Sequence, residues 1–271
     1  MLIERTVINQ LQEKAAHSRV LIVTGALGSG KTTAVRTVFP KYAYVPFDDI
    51  AIRSTAQQNP EVFLEVLRNN VVFDEIAFTP RLLVHIAARL MQDENWRCVL
   101  VSSVLLEYDD SLFGADAAII PMSPLSVGEL SDAGRLLPSM GEVLVSGFFP
   151  GRYAETASPP ADFFDAYIRD YVERSVHCRK HISNTDRFFR FVAQCARLCG
   201  DFLNITTLAE RCCITRRTAE IWLEILEKSY VIFLLRPYHK NFGKRLVKSP
   251  RLYFWDTGLV CRLAGISSAA A

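Results

Sequence analysis

The sequence predicts a three-layer α/β domain with a parallel sheet, followed by a mostly helical domain. Over the first part of the chain, short β-branched runs such as "RVLIVT" (19–24) alternate with stretches of helical spacing. After "ASPP" (157–160) the apolar residues recur mainly at helical spacing. The 271 residues are enough for one large domain or two ordinary ones. We therefore predict one domain over 1–157 and a second over 158–271.

Composition and charge narrow the class of protein. Half of the residues are hydrophobic and 22% are charged. No apolar run approaches the roughly 18 residues of a membrane-spanning helix. The first ten residues carry charges where a signal peptide would be apolar, so we expect a cytoplasmic protein. The seven cysteines are irregularly spaced and odd in number, which favours buried thiols over disulfides or a zinc site.

A phosphate-binding motif follows the first predicted strand. The stretch "GALGSGKTT" (25–33) matches the pattern GxxxxGK[ST], and the helix after it ends at Pro40. Backbone N–H groups of the glycine loop would surround phosphates, Lys31 would reach the β and γ oxygens, and Thr32 would ligate Mg²⁺. The chain has no guanine-reading N/TKxD motif, which favours ATP. We therefore predict a P-loop NTPase that binds ATP and Mg²⁺ through Gly25, Gly28, Ser29, Gly30, Lys31, Thr32 and Thr33.

Two further strands end in polar residues that hydrolysis would use. The run "VVFDE" (71–75) ends in two carboxylates; the first of such a pair holds Mg²⁺ and the second polarises the attacking water. The run "WRCVLVSS" (96–103) ends in a serine pair that could contact the γ-phosphate, or could be ordinary turn residues. The predicted catalytic residues are Glu75, Asp74 and Ser103, and the predicted Mg²⁺ ligands are Thr32 and Asp74.

The second domain is predicted to contain a winged helix-turn-helix. The stretches 204–214 and 215–232 predict two helices joined by a tight turn, with Thr215 capping the second helix. The runs "VIFLLRP" and "RLYFWD" predict the two strands of the wing. Basic residues exceed acidic ones over 160–271, the reverse of 1–159. Candidate DNA contacts are Arg216, Arg217, Lys240, Lys244, Arg245 and Lys248; the alternative is that this region serves as a packing or lid module.

The order of the motifs resembles a large prokaryotic family of AAA-type ATPases. The chain carries "TGALGSGKTT", "VVFDEIAFTP", "VLVSS", "PMSPLSVGEL" and "LEILEKSYVIFLLRPYHKNFGKRLVKSPRLYFWDTGL" in that order. Members of this family join an N-terminal P-loop domain to a C-terminal domain of unknown function. The resemblance implies an AAA+-like ATP-binding core followed by a helical and winged-helix region.

Three departures from the family pattern affect the expected activity. Leu27 stands where the family loop has an arginine, and Gly114–Ala115 stand where the family reads "GR". Loss of an arginine at the γ-phosphate would slow hydrolysis by roughly 10³-fold or more; Arg135 and Arg152 are candidate replacements. The family also continues past "DTGL" into a part similar to restriction endonucleases. The resemblance therefore implies a short or truncated form, and we predict no nuclease activity.

Two functions are consistent with these observations. The first is a weak Mg²⁺-dependent ATPase whose nucleotide state is coupled to the winged-helix domain. The second is a nucleotide-gated DNA-binding or adaptor protein with little or no hydrolysis. The expected partners are ATP, double-stranded DNA and other copies of the chain in a homo-oligomer, with no membrane partner.

Overall fold

The computed structural model describes residues 3–68, 70–107, 110–178, 182, 184–238 and 249–268. These residues form two compact units, one over 4–123 and the other comprising residue 3 and the residues from 124 onward. The sequence places this division at residue 157. The division falls earlier because Leu125 N–H bonds to the Phe148 carbonyl oxygen (2.7 Å) and Phe148 N–H bonds to the Asp256 carboxylate (2.7 Å). These long-range bonds tie the segment before residue 157 to the second unit.

The first unit is built on a five-stranded parallel sheet with the strand order β2-β3-β4-β1-β5. The short run 43–46 forms an edge strand of this sheet. The described strands are β1 (Val20–Thr24), β2 (Ala43–Pro46), β3 (Val71–Asp74), β4 (Cys98–Ser102) and β5 (Ala117–Pro121). The described helices are α1 (Val7–His17), α2 (Lys31–Val38), α3 (Ile50–Gln58), α4 (Pro60–Val66) and α5 (Leu82–Gln92).

A hydrophobic core lies on each face of this sheet. Because successive side chains of a strand point to opposite faces, Val20 and Ile22 of β1 enter one core and Leu21 and Val23 enter the other. All five residues of β1 are buried, as expected for a central strand covered by helices on both sides. The predicted three-layer α/β fold is therefore confirmed.

The strand order brings three strand ends together. β4 lies between β3 and β1, and all three strands run in the same direction. Their carboxyl ends therefore meet at one edge of the sheet, which is where open α/β sheets place their ligand sites. The residues that follow these ends are the glycine loop after β1, Glu75 after β3 and Ser103 after β4.

The second unit is mostly helical and contains one antiparallel strand pair. β6 and β7 pair in a register that sets Ile232 opposite Phe254. The described helices are α6 (Val127–Asp132), α7 (Met140–Ser146), α8 (Pro160–Cys178), α9 (Thr185–Arg197), α10 (Ile205–Arg211), α11 (Arg216–Lys228) and α12 (Thr257–Ala264). The strands are β6 (Ile232–Leu235) and β7 (Arg251–Phe254). No helix of the described residues is long and apolar enough to cross a membrane.

An aromatic cluster joins α9 to α11. The rings of Phe188 and Phe191 each pack edge-on against Trp222 with centroid distances of 5.3 Å. Cys195, on the same helix, is buried, and burial raises the pKa of its thiol. This thiol therefore stays protonated and packs as a small apolar group, as the cysteine spacing predicts. Cys199 and Cys213, in contrast, are exposed free thiols.

Candidate functional site

The glycine loop occupies residues 25–30, between β1 and α2. Gly25, Gly28 and Gly30 have φ angles of 152°, 75° and 93°, which L-residues with a side chain rarely adopt. At Gly25 a Cβ atom would also collide with the carbonyl oxygen of Met122. Gly30 is the N-cap residue of α2. Because it has no side chain, it caps none of the N–H groups of the first turn. A helix start of this kind, reached through a tight glycine loop, is suited to bind phosphate.

Lys31 crosses from the loop to the end of β4. Its side chain is buried, with 4% of the residue surface exposed. The Nζ atom donates hydrogen bonds to the carbonyl oxygens of Gly25 (2.9 Å) and Ala26 (2.8 Å) and to Ser103 Oγ (3.0 Å). The ammonium group is thus held inside the loop, at the level where the phosphates of a nucleotide would lie.

Ser29 and Arg5 support the shape of the loop. Ser29 is fully buried, and its Oγ has no hydrogen-bond partner among the described atoms. Its carbonyl oxygen accepts a hydrogen bond from Arg5 Nη1 (2.8 Å), while Arg5 Nη2 donates to the carbonyl oxygen of Ser123 (2.7 Å). Arg5 therefore links the loop to the segment that follows β5. The role of Arg5 is not predictable from the sequence, because no motif signals a contact between residues so far apart.

The carboxylate of Asp74 lies beside the hydroxyl of Thr32. Thr32 Oγ1 donates to Asp74 Oδ2 over 2.7 Å, and the Glu75 N–H donates to Oδ1 over 3.1 Å. Asp74 is the last residue of β3 and only 7% of its surface is exposed. Hydroxyl and carboxylate oxygens are the hard donors that Mg²⁺ prefers, so this pair fits the predicted metal ligands.

Tyr44 adds a third donor to the same carboxylate. Its hydroxyl donates to Asp74 Oδ2 over 2.6 Å. Burial and then the hydrogen bond to Asp74 raise the pKa of Tyr44, so the phenol stays protonated and acts as a donor. The guanidinium carbon of Arg36 lies 4.8 Å from the centre of the tyrosine ring. The sequence offered no signal for Tyr44, since an aromatic residue on an edge strand is ordinary.

Glu75 is joined to Ser103 through both of its carboxylate oxygens. The Ser103 N–H donates to Oε2 (3.1 Å), and the Ser103 hydroxyl donates to Oε1. Glu75 has a φ of 54°, in the left-handed region, which turns the chain sharply after β3. Because Lys31 also bonds to Ser103 Oγ, the cation, the hydroxyl and the carboxylate form one connected chain. The structure thus brings together the groups that the sequence predicts at the ends of β1, β3 and β4.

The remaining predicted phosphate-loop residue, Thr33, lies on the first turn of α2 and is exposed. Its side chain makes no hydrogen bond within the described part of the chain, and its carbonyl oxygen accepts from Thr37 Oγ1 (2.9 Å). Leu27 also lies in the loop, at the position where an arginine would be expected, and is half-buried.

The candidate DNA contacts lie on the second unit. Arg216 and Arg217 are the first two residues of α11, and both are exposed. Thr215 caps the helix by accepting the Thr218 N–H over 3.1 Å, as predicted from the sequence. The guanidinium of Arg216 also pairs with Glu220 over 2.9 Å. The other candidates lie outside the described residues: Lys240, Lys244, Arg245 and Lys248.

The two candidate replacement arginines also lie on the second unit. Arg135 is exposed and follows α6. Arg152 donates hydrogen bonds to the carbonyl oxygens of Ser146 (3.3 Å) and Ser158, and its guanidinium lies 5.6 Å from the ring centre of Phe163. These contacts give Arg152 a local structural role within its own unit.

Family comparisons agree with this organisation. Residues 17–131 match the AAA domain family, and residues 138–270 match a domain of unknown function (DUF8612). Together with the parallel sheet and the geometry of the loop, the first match identifies residues 17–131 as a AAA-type P-loop domain, as the order of the motifs predicts. The second match agrees with the expected C-terminal domain of unknown function.

Particular relatives are similar over the whole chain. Uncharacterized proteins Rv2008c of Mycobacterium tuberculosis and Mb2031c of Mycobacterium bovis are each 28% identical over 282 residues. These matches cover 100% of this chain and 62% of each relative, so the chain spans less than two thirds of their length. Among solved structures, the Walker-type ATPase PABY2304 of Pyrococcus abyssi is 12% identical with a TM-score of 0.62. That match covers 97% of this chain and 96% of the archaeal chain, and it shows a shared fold.

Proposed function

We propose that the protein binds ATP together with Mg²⁺ and hydrolyses it slowly. The observation that carries the proposal is the connected chain of Lys31, Ser103 and Glu75 at the carboxyl edge of the sheet. In it, a cation that would bind phosphate and a carboxylate that would act as general base each form a hydrogen bond with Ser103. Hydrolysis needs all three, whereas a site that only binds nucleotide has no need of the base.

The residues of the loop and of the strand ends have distinct roles in this proposal. Backbone N–H groups around Gly25, Gly28, Ser29 and Gly30 and the start of α2 would bind the phosphates, with Thr33 at the outer side of the helix. Lys31 would leave the loop carbonyls to contact the β and γ oxygens. Ser103 would contact the γ-phosphate and thereby release Glu75 to orient water.

The metal would be held by Thr32 and Asp74. When bound, Mg²⁺ would neutralise part of the phosphate charge during the transfer. The Thr32 hydroxyl would ligate it directly, and the Asp74 carboxylate would hold it through water. The short bond between these two side chains supports the assignment, because it already sets both groups on one side of the loop.

The expected rate is low because two customary arginines are missing. Leu27 and Gly114–Ala115 put no cation where the resembled family has one, and such a cation contributes roughly 10³-fold or more to turnover. We infer that nucleotide state is coupled to the second unit, and that other copies of the chain are candidates to supply a missing arginine in a homo-oligomer.

Steady-state phosphate release from ATP and Mg²⁺ tests this function. We expect release by the wild type to be abolished by Lys31→Ala and by Glu75→Gln. The two variants should differ in binding, since Glu75→Gln keeps the loop intact and should retain ATP. Equal release by the wild type and Glu75→Gln would overturn the assignment of the base.

A second candidate function, DNA binding, is favoured by the exposed arginines at the start of α11. Arg216 and Arg217 begin a capped helix that follows α10 after a short turn, and the antiparallel pair β6–β7 comes next. This order of elements supports a winged helix, in which the second helix of the turn contacts the major groove. The other predicted contacts would lie on the connection between β6 and β7.

Duplex DNA binding at two salt concentrations tests the second function. Neutralising two phosphates gives a slope of about −1.8 in log affinity against log salt. We therefore expect a double Arg216→Ala, Arg217→Ala variant to have a slope shallower by about that amount. A control variant, Arg187→Ala, changes an exposed arginine at the start of α9 and should keep the wild-type slope. Binding that ignores salt would contradict this function.

A further inference from the structure

The edge strand β2 brings a phenol to the predicted metal ligand. β2 runs parallel to β3, with Tyr44 opposite Val72 and Pro46 opposite Asp74. Tyr44 is therefore two residues short of the strand end, and its long side chain spans this interval to place its hydroxyl 2.6 Å from Asp74 Oδ2. A shorter side chain at this position would not reach the carboxylate.

The ring of Tyr44 also contacts α2, the helix that follows the glycine loop. Arg36 lies four residues after Thr32 on α2, so both side chains are on the same face of this helix. The guanidinium carbon of Arg36 lies 4.8 Å from the ring centre, within the range of a cation–π contact. One helix face therefore contacts Asp74 directly through Thr32 and indirectly through the ring of Tyr44.

The hydrogen bonds to Asp74 are unequally divided between its two oxygens. Oδ2 accepts two short bonds, from Thr32 (2.7 Å) and from Tyr44 (2.6 Å). Within the described residues, Oδ1 accepts one longer bond, from the Glu75 N–H (3.1 Å). A carboxylate has about four lone-pair sites, so the two donors occupy Oδ2 and leave Oδ1 with acceptor capacity.

We propose that Tyr44 is a positioning residue for Mg²⁺: its hydroxyl fixes the rotation of the Asp74 carboxylate so that Oδ1 faces the cation. This inference rests on the proposed nucleotide site and adds to it a residue from a strand that carries no motif. Partners that orient a metal-binding side chain typically change metal affinity by 10-fold to 100-fold when they are removed. Loss of the phenol hydroxyl should therefore weaken the response to Mg²⁺ and leave metal-free nucleotide binding unchanged.

A Mg²⁺ titration of nucleotide binding tests this role. The probe is a fluorescent ATP analogue bound by the full chain, first in EDTA and then over a range of free Mg²⁺. Tyr44→Phe removes only the hydroxyl. The matched control is Tyr42→Phe. Tyr42 lies just before β2, and its ring packs against Phe39 with a centroid distance of 4.9 Å. The Mg²⁺-induced rise in melting temperature, measured with a non-hydrolysable ATP analogue, is a second readout that needs no turnover.

We expect Tyr44→Phe to need about tenfold more Mg²⁺ for half-maximal binding than the wild type. Its affinity in EDTA should stay unchanged, and Tyr42→Phe should match the wild type in both conditions. An unchanged Mg²⁺ requirement in Tyr44→Phe would overturn the inference. A lowered Mg²⁺ requirement would also overturn it, because it would show that the hydroxyl competes with the cation for Asp74. A wild type whose nucleotide binding ignores Mg²⁺ would instead contradict the proposed function itself.

Discussion

Ser103 holds Glu75 through two hydrogen bonds, one from its backbone N–H and one from its hydroxyl. The same hydroxyl accepts a bond from Lys31 Nζ. A γ-phosphate bound by Lys31 would compete for both Lys31 and Ser103, so its arrival would loosen the contact that restrains the base. In the proposed function, the resting arrangement of these three residues would link nucleotide binding to the release of Glu75.

Replacing Ser103 by alanine should lower turnover more than ATP binding. The substitution removes the hydrogen bond that the Ser103 hydroxyl would donate to the γ-phosphate. A hydrogen bond to a charged group contributes about 1.5 kcal/mol, so kcat should fall about tenfold. The loop that binds the α and β phosphates is unchanged, so KM should stay close to the wild-type value. Steady-state phosphate release over a range of ATP concentrations measures both constants.

Ser102→Ala is the matched control for this prediction. The hydroxyl of Ser102 is buried and bonds to the carbonyl oxygen of Val104 (2.6 Å). The two serines are adjacent, so a general disturbance of the end of β4 would affect both variants. Equal losses of kcat in Ser102→Ala and Ser103→Ala would show that the hydroxyl of Ser103 has no special role.

Removing Arg5 should weaken ATP binding by loosening the loop. The guanidinium joins the carbonyl oxygens of Ser29 (2.8 Å) and Ser123 (2.7 Å), and the loss of this link at about 1 kcal/mol corresponds to about fivefold in affinity. Equilibrium binding of ATP to Arg5→Ala gives the value. Lys14→Ala removes the same charge from an exposed site on α1 and should bind ATP like the wild type. Equal losses of ATP affinity in the two variants would show that the loss of a positive charge, and not of the hydrogen bonds of Arg5, weakens binding.

Local patterns in the sequence predict the sheet and the groups at its edge. The β-branched runs of β1, β3 and β4 and the glycine motif are each contained within ten residues, and parallel strands bring their ends together. Tyr44 and Arg5 could not be predicted in this way. Their partners are 30 and 24 residues away in the chain, and only the packed sheet brings them into contact.

The division between the units was equally hard to predict. The prolines at 159–160 are a strong local signal for a linker, whereas the bond between Phe148 and Asp256 spans 108 residues. β5 is another such element, because only one of its five residues is buried and its sequence lacks a clear strand pattern. Its place in the sheet depends on pairing with β1.

Gly147 should tolerate no side chain. It has a φ of 71°, and a Cβ atom there would lie 2.6 Å from Asp256 Oδ1 and 2.9 Å from Phe164 Cζ. We expect Gly147→Ala to lower the free energy of unfolding by about 3 kcal/mol, from backbone strain and overpacking together. Gly134→Ala isolates the backbone part, since Gly134 has a φ of 63° and no atom near its Cβ position. Gly134→Ala should lower the free energy of unfolding by about 1 kcal/mol. Urea denaturation measures both variants, and equal losses would contradict the packing argument.

Asp256 should make stability depend on pH. It is 1% exposed and accepts the N–H groups of Phe148 (2.7 Å) and Leu259 (2.8 Å). Burial raises its pKa from 3.8 to about 6, against the opposing effect of these N–H groups. The folded state therefore holds the proton more tightly than the unfolded chain does. The associated stabilisation is complete below about pH 4 and is lost as pH rises through about 6, a change of about 3 kcal/mol.

Comparison of the wild type with Asp256→Asn isolates this titration, because asparagine keeps one acceptor oxygen and does not ionise. The stability advantage of the wild type in urea denaturation should shrink between pH 4 and pH 7. Asp165→Asn provides the contrast, since the hydrogen bond from Arg262 lowers the pKa of Asp165 and its contribution is fully present above about pH 5. The wild-type advantage over Asp165→Asn should therefore stay nearly level from pH 5 to pH 7. An advantage over Asp256→Asn that stays constant or grows with pH would show that the buried carboxylate is stabilised in its charged form by the surrounding N–H groups.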